Sequence, residues 1–328
     1  MKLAQKNRNS NVAWLFALLG VVFLVLLAAD LLLGSIIIPV KEVFLAFFSN
    51  GQSIDETYRT IVLEFRLPKA LTAVLTGAAL SLSGLQMQTV FRNPLAGPYV
   101  LGISAGASLG VALFVLGFSS VFAWGIFSTT GAWPLALVAW TGSFLVMLLV
   151  LYVSVRVNDI MTILILGILF TSAVTAIVNI LQYFSDESML KAFIVWTMGS
   201  LGSVTKSQLT VLTPAIAAGI LLAFLKIKDL NAFLLGENYA RSLGVSIKTS
   251  RVIIFLSTSL LAGTITAFCG PIGFIGIAVP HICRVLFKTA NHLILVPAVI
   301  LTGSIVMLFS DIISQLPGMQ TTLPINSV

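Results

Sequence analysis

One serine in this sequence lies in a pattern known from hydrolases. Residues 102–106 read G-x-S-x-G with Ser104 at the centre, and His281 could act as the base that activates it. This pattern works at a sharp turn between a strand and a helix, which exposes the serine. Here the surrounding residues are small and apolar, as in a buried helix. An intramembrane serine protease therefore stays a remote alternative, which alanine at Ser104 or His281 would test.

Other reactive residue types are few, and their spacing does not suit catalysis. Cys269 and Cys283, the 2 cysteines of the sequence, fit neither a zinc ligand set nor a C-x-x-C redox pair. The sequence has no G-x-x-x-x-G-K-[ST] stretch, so we expect ATP to bind on another polypeptide. Asp30 and Asp311 fall near the outer ends of apolar segments, whereas a secondary carrier usually needs a charged site near mid-membrane. We predict no catalytic residue, no metal and no cofactor on this chain, and keep a secondary carrier as a remote alternative.

The composition indicates a membrane protein. Of 328 residues, 58% are hydrophobic and 9% are charged, whereas a soluble domain carries about 25% charged residues. Apolar stretches of about 20 residues, long enough to cross the hydrocarbon core as helices, recur along the whole chain. The net charge of +7 does not indicate nucleic acid, because the basic residues are scattered singly between apolar segments. We predict an all-α polytopic membrane protein with a single domain, residues 1–328.

The hydropathy pattern predicts nine membrane helices, at approximately 12–34, 67–91, 98–118, 133–155, 160–184, 207–226, 249–269, 274–288 and 293–311. A cytoplasmic N-terminus places most of the 18 basic residues on the cytoplasmic side. Residues 226–251 then face the cytoplasm and should form short amphipathic helices across the membrane face. Gly102, Gly106 and Gly110 recur at four-residue spacing, which favours close packing of helix backbones in lipid.

Three long motifs resemble those of one family in sequence and in order. They are RLPKALTAVLTGAALSLSGLQMQTVFRNPLAGPYVLGISAGASLG at residues 66–110, LLGENYARSLGV at 234–245 and GPIGFIGIAVPHICR at 270–284. The chain resembles the FecCD-type permeases, which are the membrane subunits of type II ABC importers for ferric siderophores, haem and vitamin B12. The resemblance implies a homodimer in a bacterial cytoplasmic (inner) membrane, two cytoplasmic ATPase subunits that bind ATP and Mg²⁺, and a soluble or lipid-anchored substrate-binding protein outside.

The resemblance also implies roles for residues on the outer side. The R-L-P-R/K motif of the family docks the binding protein, and it falls on Arg66 and Lys69. Two basic residues three apart at a helix start share one face and can meet partner carboxylates, although they could also start a helix at the lipid interface. A third docking arginine of the family is replaced here by Gln315, four residues after Asp311.

Two inner sites follow from the same resemblance. Asn93 and Leu95 match the cytoplasmic gate of the family's vitamin B12 importers, though Asn-Pro is also an ordinary end for a helix. Residues 234–245 match the ATPase-coupling helices, for which an interfacial lipid-binding helix is the alternative. In that segment Glu237 and Arg241 are expected to pair along a helix, and the coupling residues are Leu234, Gly236, Glu237, Ala240, Arg241, Leu243 and Gly244, with Ala240 and Leu243 as an apolar knob.

The sequence therefore predicts a transport subunit without an active site of its own. Its expected cargo is a ferric siderophore or haem, with vitamin B12 as the alternative. The family has ten membrane helices, and the chain ends where the tenth should begin, so we expect that the helix is missing. Without it, small residues of the eighth and ninth helices would face lipid unpaired: Gly273, Gly276, Gly303 and Ser304.

Overall fold

The computed structural model describes residues 2–34, 36, 38–48, 55–117, 133–157, 159–315 and 322–328. The described residues form helices and connecting turns, and no strand occurs among them. Seven of these helices are long and apolar enough to span a membrane, and two apolar helices are shorter. Together they correspond to the nine helices predicted from hydropathy, and the all-α membrane class is confirmed.

Fourteen α-helices follow one another in the described residues. Their bounds are α1 Lys2–Leu32, α2 Val40–Phe48, α3 Glu56–Thr60, α4 Leu67–Val90, α5 Ile103–Val115, α6 Trp133–Arg156, α7 Ile160–Phe184, α8 Glu187–Thr197, α9 Lys206–Leu225, α10 Ile227–Phe233, α11 Glu237–Ser242, α12 Ile247–Cys269, α13 Ile275–Phe287 and α14 His292–Ser314.

Helix α4 begins without a break from α3, through a π-helical stretch, Ile61–Arg66. The N–H of Leu67 bonds the carbonyl of Val62, five residues back, and Pro68 has no N–H to continue the ordinary ladder. The wider turn sets Arg66 at the junction with α4.

Helix α7 is capped at its N-terminal end by Asp159. Hydrogen bonds from the Thr162 hydroxyl and from two backbone N–H groups lower the pKa of this carboxyl group.

Helix α4 is the centre of the bundle and packs against α9, α12, α13 and α14. Gly84 faces Gly276 of α13 so closely that a Cβ on Gly84 would lie 1.7 Å from the Gly276 carbonyl oxygen. Gly77 faces Gly303 of α14 in the same way, at 2.1 Å. Ser304 donates to a backbone carbonyl of α4 at 2.9 Å. Three of the four small residues expected to face lipid unpaired therefore pack on α4, so that expectation was wrong for them.

The small-residue stripe of α5 packs on α6. A Cβ on Gly106 would lie 2.6 Å from the Gly142 carbonyl oxygen, and one on Gly110 would lie 2.6 Å from the Val138 carbonyl oxygen. Gly102 has φ +75° and links a 3-10 turn to α5, a conformation that favours glycine. These glycines bring the two helix backbones together.

Candidate functional site

The serine motif has no hydrolase geometry in this fold. Ser104 lies in the first turn of α5, and its hydroxyl is 3.3 Å from the hydroxyl of Thr266. No strand precedes it in the described part of the chain. Cys269 and Cys283 are both buried free thiols that fill space between helices. Among the described residues, no three potential metal ligands come together.

Arg66 lies at the N-terminal end of α4, where its side chain binds the end of α1. The guanidinium donates to the carbonyl oxygens of Leu31 at 2.9 Å and Leu32 at 2.8 Å, and also to that of Ile36. The last carbonyls of a helix lack partners within the helix, and a cation there also interacts favourably with the helix dipole. Arg66 is 8% exposed, so in this conformation its guanidinium binds carbonyl groups of the same subunit and presents little surface to another protein.

Lys69 and Gln315 meet at one buried carboxylate. The Lys69 ammonium lies 3.0 Å from Asp311, whose side chain is 1% exposed. The Gln315 amide donates to the other oxygen of Asp311 at 2.8 Å and lies 3.4 Å from an oxygen of Asp30 in α1. The structure thus brings together two of the three residues predicted for docking, Lys69 and Gln315, and it adds Asp311 and Asp30 as their partners inside the subunit.

Arg66, Lys69, Asp311 and Gln315 line a cavity of about 730 Å³. Its wall combines the N-terminal end of α4 and the C-terminal end of α14 with residues 198–203 and 322–325. Arg66, Lys69 and Gln315 all belong to this wall. The polar cluster is therefore next to a space large enough to receive side chains of another protein.

The predicted cytoplasmic gate is a turn that follows α4. The Asn93 side-chain oxygen accepts the N–H of Leu95 at 2.9 Å, which fixes an Asx turn around the intervening proline. The Tyr99 hydroxyl lies 3.4 Å from the Leu95 carbonyl oxygen. The Leu95 side chain is 69% exposed. Asn93 thus shapes the turn, and Leu95 projects from it.

The segment 226–251, which contains the predicted coupling residues and is called the coupling segment below, consists of α10, α11 and the first turn of α12. Gly236 has φ +100° and Gly244 has φ +81°, so glycine allows the chain to turn on both sides of α11. Leu235, Tyr239 and Leu243 are exposed and form what we call the apolar row. The apolar row is the part of the segment that another protein could contact.

Two expectations for this segment need correction. Ala240 is fully buried in the core rather than part of a surface knob, because α11 turns this face toward the bundle. Glu237 pairs with Arg251 of α12 and not with Arg241. The Arg251 Nε and Nη2 atoms lie 2.8 Å and 2.6 Å from a Glu237 oxygen. Arg251 is 2% exposed and needs a counter-ion inside the protein, whereas Arg241 is exposed to solvent.

A polar stripe on α7 was missed in the sequence. Ser172, Thr175 and Asn179 are exposed and lie on one face, at spacings of three and four residues. The two hydroxyl groups bond carbonyls of their own helix, at 3.0 Å and 2.9 Å. The signal was present as polar residues at helical spacing inside an apolar span. We call this surface the polar stripe.

Comparisons with known proteins agree with this architecture. Residues 11–328 match the FecCD transport family. The hemin transport system permease HmuU of Yersinia pestis is 33% identical over 89% of this chain and 86% of its own length. The vitamin B12 import system permease BtuC of Salmonella typhi is 32% identical over 100% of this chain and 94% of its own length.

A solved structure supports the same assignment. It is described as an inward-facing conformation of a metal-chelate type ABC transporter, and it superposes with a TM-score of 0.79 at 28% identity, covering 94% of this chain and 92% of its own. Because the family match spans nearly the whole sequence and the fold agrees, the chain belongs to the FecCD transport family of ABC importer permeases.

Proposed function

We propose that this permease works as a homodimer in an ATP-driven importer that carries a ferric siderophore or haem across a bacterial inner membrane. Support comes from the relative named for hemin and from the neighbour described as a metal-chelate transporter. Vitamin B12 is the alternative cargo, because a permease named for it is similarly close. ATP and Mg²⁺ bind on two separate ATPase subunits. The N-terminus of the permease lies in the cytoplasm.

The polar stripe is the observation that carries the proposed route. An exposed asparagine is costly in hydrocarbon, so a polar or water-filled environment should cover Asn179. A second copy placed against this face encloses Ser172, Thr175 and Asn179 between the two subunits. The cargo then crosses between the copies, without a tight binding site in either, because the binding protein supplies selectivity.

The apolar row supplies the contact with the ATPase. It lies on the cytoplasmic segment next to the gate turn, since a Cβ on Gly236 would lie 3.4 Å from the Arg92 guanidinium. Arg92 directly precedes Asn93. Movement imposed on this segment by the ATPase therefore acts close to the gate.

The substrate-binding protein docks on the outer side, at the cavity lined by Arg66, Lys69 and Gln315. On docking, the Lys69 ammonium exchanges its ion pair with Asp311 for one with a carboxylate of the binding protein. Gln315, which stands where the family has an arginine, donates a hydrogen bond to the binding protein instead of to Asp311. Arg66 holds the end of α1 beneath this surface. Because Lys69 already has a partner, docking exchanges one ion pair for another, and its net contribution is smaller than that of a free cation.

The docking surface can be tested with two lysine variants of the purified complex. Lys69→Gln should weaken binding of the substrate-binding protein about tenfold or more. Lys206→Gln is the matched control, because Lys206 pairs with Glu64 on the same side and its side chain is 49% exposed. If both variants lose the same amount of affinity, or if neither loses any, Lys69 is excluded as the docking cation.

The cargo can be identified by reconstitution. The permease, its ATPase and its binding protein in liposomes should show ATP-dependent uptake of haemin or a ferric siderophore. Cyanocobalamin uptake with neither of those would establish the alternative. No uptake of any of the three by an assembled complex that hydrolyses ATP would refute the cargo proposal.

A further inference from the structure

A buried histidine connects the last turn of α4 to the coupling segment. His292 is the first residue of α14 and is fully buried. Its Nε2 atom lies 2.8 Å from the hydroxyl of Thr89 in α4. Its Nδ1 atom lies 2.9 Å from the side-chain oxygen of Asn231 in α10, and the same oxygen accepts the His292 backbone N–H at 2.8 Å.

The directions of these hydrogen bonds follow from their partners. The side-chain oxygen of Asn291 accepts a backbone N–H two residues further on, so the Asn231 atom 3.0 Å from it is the amide donor. The oxygen of Asn231 therefore faces His292 and accepts a hydrogen bond from the Nδ1–H group. In a neutral imidazole Nε2 is then the acceptor, and the Thr89 hydroxyl donates to it. The Leu85 carbonyl, also 2.8 Å from that hydroxyl, offers the proton a second acceptor.

The ends of this connection fall on two functional elements. Thr89 is next to the last residue of α4, and Asn93, which shapes the gate turn, comes four residues after it in sequence. Asn231 lies in the last turn of α10, and Leu235 of the apolar row follows just beyond the end of that helix. A shift of α10 must therefore move His292, and through it the end of α4, or leave the buried His292 imidazole without hydrogen-bond partners, which is unfavourable.

We infer that His292 is a positioning residue that transmits ATPase-driven movement of α10 to the gate turn through Asn231 and Thr89. The inference rests on the ATPase partner and the gate of the proposed function. A purely structural histidine would stabilise the bundle equally in both nucleotide states of the ATPase. A transmitting one is needed for the gate to respond to nucleotide.

The test measures the response of the gate directly and needs no cargo. Leu95→Cys places a thiol on the exposed gate side chain, while both native cysteines are buried. The assembled permease–ATPase complex is labelled with a membrane-impermeant maleimide from the cytoplasmic side, with and without ATP and Mg²⁺. The same measurement is made after adding Thr89→Val, Thr89→Ser or His292→Asn. Thr72→Val is the matched control. Thr72 is also buried in α4 and, like Thr89, bonds the carbonyl four residues back, whereas the bond to His292 is made by Thr89.

Wild type should show a nucleotide-dependent labelling rate. His292→Asn keeps a donor toward Asn231 but loses the bond to Thr89, so it and Thr89→Val should lose this dependence while the ATPase still co-purifies. Thr89→Ser and Thr72→Val should retain it. An equal nucleotide response in all variants would overturn the inference and leave the proposed function intact. Loss of ATPase assembly in both His292→Asn and Thr89→Val would also overturn the inference, because it would show that these residues have a structural role. If the unsubstituted complex shows no nucleotide response, the proposed gate itself fails.

Discussion

The ion pair between Glu237 and Arg251 allows a quantitative test of how the coupling segment is held. Arg251 is 2% exposed, and the Glu237 side chain is 24% exposed. Breaking a fully buried pair by removing one partner costs about 3–5 kcal/mol. Glutamine at position 237 can still accept one N–H and is partly solvated, so we expect Glu237→Gln to cost about 2–3 kcal/mol.

This loss should appear as local opening of α11 rather than as global unfolding. The N–H groups of Ala240, Leu243 and Val245 are bonded within the segment. A cost of about 2–3 kcal/mol corresponds to about 30- to 140-fold more frequent opening. Hydrogen exchange of these amides, measured in the detergent-solubilised permease, should accelerate by that factor in Glu237→Gln.

Arg241→Ala is the matched control, because Arg241 is the basic residue that the sequence spacing favours and the structure leaves in solvent. It should change the exchange of α11 by no more than about 0.5 kcal/mol, which is about twofold. The double variant Glu237→Gln with Arg251→Met should cost less than the sum of the two single changes, since both remove the same contact. Fast exchange in Arg241→Ala, or wild-type exchange in Glu237→Gln, would refute the assigned pairing.

Three further predictions concern packing, coupling and the cargo route. Gly84→Ala should lower the free energy of unfolding by about 1–3 kcal/mol or more, because the new Cβ would clash with the Gly276 carbonyl. Gly20→Ala is the control, because a Cβ there would have nothing within 4 Å. Equal melting temperatures of the two variants would contradict the close approach. Leu243→Glu should reduce co-purification of the ATPase by placing a charge in an apolar contact, and unchanged recovery would remove this residue from the joint. Asn179→Leu should slow ATP-dependent uptake in liposomes without lowering thermal stability, and normal uptake would exclude the polar stripe from the route.

Hydropathy along the sequence was enough to predict the class and the spans. A membrane helix is specified by its own run of apolar residues, so nine segments could be recognised one at a time. Glycine at positions 236 and 244 likewise suits the turns on both sides of α11, because a positive φ is a local requirement of the chain. The family motifs added candidate docking, gate and coupling residues that spacing by itself would not have assigned.

The choice of partners was decided only by the tertiary structure. Glu237 has Arg241 one helical turn away, yet it pairs with Arg251. The reason is that a buried guanidinium needs a carboxylate as counter-ion, and the fold places Glu237 beside Arg251. Arg66 has the type and position of a docking cation, but the end of α1 lies beside it and supplies two carbonyl groups, and the segment after α1 supplies a third. Such contacts depend on which helices meet across the bundle. Sequence spacing gives the faces of each helix, whereas burial and the unmet hydrogen bonds of neighbouring helices determine which faces come together.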